Sequence, residues 1–242
     1  MDSIFNGDSF SQESMDLYDN VISDKQVEHV LGNVHKHDHL TEYHSRGVSH
    51  IVSEYVVQGV IDRNHEESKA LIRMAVLHDI GKLSILKSIL DKPGKLSKNE
   101  WQLVENHPID GFHHYALDFD AYEALPILIH HTMQPNYYPS VAKINENASI
   151  YGISKKDLTE EMLLEDCLTL AVADNIEARY PHTDLQNESP HIRKYGGRRY
   201  AVDDLPDLVR ASFIESGKVK RLNLVDLLDS LLETSRETFL RK

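Results

Sequence analysis

Apolar residues recur at helical spacing along most of the chain, and that pattern predicts an all-α protein. Val48, Ile51, Val52, Tyr55 and Val56 form one stripe, which predicts a helix over residues 41–62. Leu71, Met74 and Ala75 predict a second helix over 66–79, with Gly81 as its stop. Lys92-Pro93-Gly94-Lys95-Leu96 reads as a turn. Ser97-Lys98-Asn99-Glu100 reads as a capping box that opens a short helix with Trp101 and Val104 on its apolar face. Leu125, Ile127 and Leu128 mark a helix within 121–132, followed by an irregular stretch holding Pro135, Tyr137, Tyr138 and Pro139. Leu163, Leu164, Cys167, Leu168 and Ala171 predict a long helix over 158–179. Two amphipathic helices, over 204–215 and 223–240, close the chain. The second carries a stripe of Leu224, Leu227, Leu228, Leu231 and Leu232, read as core, with a homodimer seam as the alternative. The one departure from helix is residues 191–202, where Gly196-Gly197 between two short runs predicts a small β-hairpin.

Several of the apolar stripes end in a residue that does not belong in a core. His44 lies one turn before Val48, His78 continues the Leu71–Ala75 face, and His107 follows Val104 on the next. His130 and His131 are three and four residues beyond Ile127, and Asp174 is three beyond Ala171. Burial disfavours a charged imidazole and leaves a lone carboxylate such as Asp79 in need of a strong partner. A divalent metal answers both needs. Nitrogen and carboxylate oxygen without sulfur suit iron, manganese or zinc. The seven side chains His44, His78, Asp79, His107, His130, His131 and Asp174 exceed what one four-coordinate ion requires, so two ions bridged by Asp79 are expected. His35-Lys36-His37-Asp38-His39 is read instead as an exposed loop without function.

Composition narrows the function classes. With 39 acidic against 26 basic residues and a formal charge of −13, the chain is a poor binder of duplex nucleic acid. Its single cysteine, Cys167, excludes an internal disulfide and a thiolate zinc cage. No apolar run is long enough to span a bilayer, and the start lacks a basic-then-apolar signal, so a cytoplasmic protein is expected. Residues 1–24, rich in Ser, Asp and Asn, are read as a solvated acidic lead or a short capping helix.

The order His44, His78-Asp79, Asp174 resembles the HD superfamily of metal-dependent phosphohydrolases. The longer run of His78-Asp79-Ile80-Gly81-Lys82, Lys92-Pro93-Gly94-Lys95-Leu96, Glu100-Trp101, His107-Pro108-Ile109-Asp110-Gly111, His130-His131 and Ala173-Asp174 resembles its HD-GYP subgroup. The resemblance implies a helical catalytic core over 31–185, preceded by a lead over 1–30 and followed by a C-terminal part over 186–242. It implies hydrolysis of a cyclic dinucleotide, cyclic di-GMP foremost, to linear pGpG or GMP, with metal binding by the seven side chains above. A hydroxide held between two cations is a strong nucleophile at neutral pH. Asp79 and Lys82 are then the catalytic pair, with Lys82, Tyr138, Arg179 and Arg198 as substrate contacts. Arg193, Lys194, Arg198 and Arg199 would bring basic charge on the hairpin.

The departures from the subgroup are local. The signature loop keeps only Tyr138-Pro139 and lacks both glycines. Leu40 stands where three-metal members carry a glutamate, so two ions are implied. Glu177-Ala178-Arg179 replaces the usual Asp-Ala-Leu. Two other readings follow: a cyclic dinucleotide sensor without turnover, and an HD-type di-iron oxygenase.

Overall fold

A computed structural model describes residues 10–133, 137–180 and 204–239. Among them every regular element is helical. The predicted hairpin, and with it Arg193, Lys194, Arg198 and Arg199, lies outside the described residues.

Two long helices form the centre. Helix α3 (His39–Val57) packs against α4 (His65–Leu77) and against α10 (Glu161–Arg179). From Cys167 to Glu177 every residue of α10 is buried. A helix apolar nearly all round belongs in an interior, and its few polar members there, Thr169, Asp174, Asn175 and Glu177, need partners inside the protein. Side-chain caps set where several helices begin. Asp38 caps α3 through Leu40 N at 3.3 Å and accepts the Thr41 hydroxyl at 2.7 Å. Asn64 with Glu67 caps α4, and Ser97 with Glu100 caps α6 (Lys98–Glu105), both as capping boxes.

Several expectations change. The acidic lead contains α1 (Gln12–Ile22), which packs on α3 and α4 and is tied to α3 through Ser11, whose amide and hydroxyl both donate to the buried Glu54 at 3.2 and 3.1 Å. Of the two readings of the lead, the short helix is the one seen over Gln12–Ile22, with Tyr18 and Val21 on its inner face buried. The histidine-rich stretch 35–39 is a helix junction rather than a loop. Helix α2 (Lys25–His37) stops there, Asp38 caps the next helix, and His37 Nε2 bonds to the Ile85 carbonyl at 2.8 Å. Helix α6 buries none of its residues. Trp101 is 38% exposed, and only Val104 packs against the small cluster of Ile85, Ile89 and Leu90. At the C-terminal end, Leu224, Leu228, Leu231 and Leu232 are buried in the main core, and Tyr55 and Ser235 share a hydrogen bond of 2.5 Å between α3 and the last helix (Val225–Phe239). That leucine stripe is therefore core and not a dimer seam.

Gly81 does not act as a helix stop. Helix α4 ends at Leu77, and a 3₁₀ segment (Ile80–Ser84) continues the chain past Asp79. That segment crosses α7 (His107–Asp118), and the two backbones touch at Gly81 and Gly111. A Cβ on Gly81 would lie 2.0 Å from the His107 carbonyl oxygen and 2.5 Å from Gly111 N. This crossing is what sets Asp79 beside His107.

Candidate metal centre

All seven side chains predicted as ligands converge on one place, supplied by α3, the end of α4, the start of α7, the turn after α8 (Leu125–Ile129) and α10. His78, Asp79, His107, His130 and Asp174 are buried, and His44 and His131 are partly so. Asp79 is central. One of its oxygens, Oδ1, faces His107 Nε2 at 3.1 Å; the other, Oδ2, faces His78 Nε2 at 3.5 Å and His44 Nε2 at 3.8 Å. Asp174 Oδ1 lies 3.0 Å from His44 Nε2 and 3.9 Å from His78 Nε2. On the opposite side, His107 and His131 approach through their Nε2 atoms at 3.3 Å, and the His130 and His131 rings lie 4.0 Å apart. Two clusters with ligand geometry result: His44, His78 and Asp79, and His107, His130 and His131.

Local structure orients three of the rings in the same way. His78, His107 and His130 each direct Nδ1 to the carbonyl three residues earlier, that of Ala75 at 2.8 Å, Val104 at 2.7 Å and Ile127 at 2.6 Å. Each sits where a helix ends or turns, so that carbonyl is within reach of the ring. The bond fixes the proton on Nδ1 and turns the Nε2 lone pair inward. The Nε2 atoms of His78 and His130 are buried without a hydrogen-bond partner. A buried nitrogen aimed at carboxylates and other imidazole nitrogens, with nothing of the protein to bond, fits a cation.

The two ends of the site differ in charge. Burial works against protonation of His44, yet the Glu177 and Asp174 carboxylates outweigh it and raise its pKa to about 10. Burial, with His78 and His107 nearby, lowers His130 to about 3, and burial with His130 and His107 puts His131 well below the ordinary value. His44 thus attracts positive charge, whereas His130 and His131 present neutral imidazoles. Burial alone would raise Asp79, but Lys82 and the surrounding histidines hold it well below the usual carboxylate range.

Lys82 forms a short ion pair with Asp79 Oδ2, its own ammonium kept charged by Asp79 against burial. The Tyr138 ring lies 4.4 Å from the His131 ring and 6.0 Å from that of His107, with Trp101 edge-on beyond it at 6.3 Å. Arg179 turns back along its own helix onto the Asn175 carbonyl at 3.1 Å and the Asn175 side chain. Arg198 is outside the described residues. Sequence reasoning missed the part Glu177 plays: its carboxylate makes a short contact with His44 Nδ1. The signal was present, since Glu177 is three residues beyond Asp174 on the buried side of α10.

Residues 41–179, more than half of the chain, match the HD domain family. Shorter segments resemble curated bacterial enzymes. One of 37 residues is 60% identical to 3′3′-cGAMP-specific phosphodiesterase 3 of Vibrio cholerae, covering 15% of this chain and 8% of that protein. One of 48 residues is 46% identical to the cyclic di-GMP phosphodiesterase response regulator RpfG of Xanthomonas campestris, covering 19% and 13%. One of 66 residues is 39% identical to the cyclic di-GMP phosphodiesterase PA4108 of Pseudomonas aeruginosa, covering 26% and 16%. The matched segments thus span less than a fifth of each of these relatives. With the family match running from α3 to the end of α10, and so across every element that supplies the cluster, the chain belongs to the HD domain family.

Proposed function

We propose that this chain is a metal-dependent phosphodiesterase of the HD-GYP type, with a shortened signature loop, that hydrolyses a cyclic dinucleotide. The observation that carries the reading is the position of Asp79, whose two oxygens face two separate imidazole groups. That is the arrangement expected of a carboxylate shared by two cations. His44, His78 and Asp174 would complete one position, and His107, His130 and His131 the other. Two divalent ions, iron foremost, would supply Lewis acidity toward the phosphodiester and a means of activating water. Names of the similar bacterial enzymes support a cyclic dinucleotide as substrate.

The chain's own residues have distinct tasks in this reading. Asp79 holds the two positions together. Lys82, one turn further on and 24% exposed, would offer its ammonium to a non-bridging phosphate oxygen. Tyr138 walls the His107–His131 side with an aromatic face suited to a nucleobase. The catalytic core comprises residues 31–185, and of the flanking parts the described helices α1 and Val225–Phe239 pack against it. The test is incubation of Mn²⁺- or Fe²⁺-loaded protein with cyclic di-GMP and, separately, 3′3′-cGAMP, followed by chromatography. Linear dinucleotide or mononucleotide is expected from cyclic di-GMP. Intact nucleotide in both digests, from protein with its full metal content, would refute the hydrolase reading.

A further inference from the structure

We propose that Glu177 is the positioning residue of His44, and that Gly47 is the notch in α3 that admits it; the inference rests on the reading of the cluster as a cation site. His78, His107 and His130 are each aligned by a backbone carbonyl at a helix end or turn. His44 has no such carbonyl. It lies in the second turn of a 19-residue helix, where carbonyls are engaged with amides one turn on. A partner for its Nδ1 has to come from elsewhere, and it comes from α10, 133 residues along the chain, as the Glu177 carboxylate.

Space for that carboxylate is specific. Glu177 is 2% exposed, and Gly47 lies three residues beyond His44 on the same face of α3. A Cβ on Gly47 would come within 2.7 Å of Glu177 Cγ and 2.9 Å of its Oε1. The glutamate stem therefore crosses α3 where a side chain is missing, and its carboxylate meets the ring from behind. With Nδ1 held there, His44 Nε2 is turned to Asp174 Oδ1 at 3.0 Å and toward Asp79 Oδ2 at 3.8 Å.

The consequence is an asymmetry. A carboxylate behind an imidazole makes it a more basic ligand than a carbonyl does. Of the two cation positions, only the His44 side gains from Glu177. Loss of such an outer partner typically weakens metal binding by about 10–100-fold. Removing Glu177 would thus weaken one ion by that factor and leave the other unchanged.

The experiment is titration of the full-length, metal-stripped protein with Mn²⁺, reading free Mn²⁺ by electron paramagnetic resonance, for the unaltered protein and for Glu177→Gln, Glu177→Leu and Gly47→Ala. Two ions are expected in the unaltered protein. In the variants one of them should weaken, most in Glu177→Leu and less in Glu177→Gln, which keeps an acceptor oxygen. Gly47→Ala should reproduce the same selective loss with the glutamate still present. If Glu177→Leu does not fold, the near-isosteric Glu177→Gln decides. Unchanged affinity for both ions, or equal loss of both in a folded variant, overturns the positioning role. Failure of the unaltered protein to bind any Mn²⁺ removes the cation reading itself, and this inference with it.

Discussion

Replacing Gly81 with alanine adds one methyl group at the crossing that forms the site. Gly81 has no left-handed φ, so alanine is tolerated by the local backbone and the effect is one of contact alone. The new Cβ would stand 2.0 Å from the His107 carbonyl oxygen and 2.5 Å from Gly111 N. Comfortable carbon contacts begin at about 3.5 Å, so the segments must part by more than about 1 Å. Both obstacles are backbone, so no side chain can swing aside. Overpacking of this kind costs about 3 kcal/mol or more. In a chain of this size that lowers Tm by about 6–12 °C. Because Asp79 and His107 face each other across the same crossing at 3.1 Å, separation also opens the site between its two halves. Circular dichroism melts of the metal-free protein, paired with Mn²⁺ titration, read the two effects. A Gly81→Ala protein with unchanged Tm and intact two-ion binding would refute the claim that this backbone contact sets the ligand geometry.

Other substitutions test separate parts of the account. Asp79→Ala should take metal content from two ions to none, since its oxygens face both clusters; retention of the full content would show that Asp79 bridges nothing. Lys82→Ala should keep both ions and slow turnover by about 100-fold, the scale for losing one charge-stabilising donor, and an unchanged rate would remove Lys82 from the chemistry. His50, buried between Phe10 and Tyr18, has its pKa lowered to about 4 by burial and by Arg46. The unfolded chain therefore takes up this proton first, and stability falls as pH drops from about 6.5 through about 4, by about 2 kcal/mol between pH 7 and 5. Urea denaturation should show that His50→Phe removes this part of the acid sensitivity; a variant with the same loss as the unaltered protein would refute it.

The sequence carried the proposed ligands but not what aligns them. His44, His78, His107, His130, His131 and Asp174 could each be found because an apolar stripe fixes which face of a helix points inward, and a polar residue at the end of that stripe is conspicuous. Periodicity works within one helix. It says nothing of contacts between helices, so the meeting of Gly81 with Gly111, and of Gly47 with Glu177, could not be read from spacing. All three glycines permit close approach rather than an unusual φ, and a glycine in a sequence does not reveal which of these purposes it serves. The acidic start left a tail and a short helix both open for a related reason. Its polar composition hid the inner face of Tyr18 and Val21 that docks α1. Residues 35–39 were misread as a loop because alternating histidines hid a helix end, Asp38 serving as cap to the next helix. No described helix is long and apolar enough to cross a membrane, in line with the absence of such a run in the sequence.

The central claim is that imidazoles and carboxylates from separate helices hold two cations on either side of Asp79. Anomalous diffraction from crystals grown with Mn²⁺ tests it most directly. The account predicts two peaks flanking the Asp79 carboxylate, one beside His44, His78 and Asp174 and the other beside His107, His130 and His131. A single peak, or peaks only at surface carboxylates with these side chains bonded to one another, would contradict it.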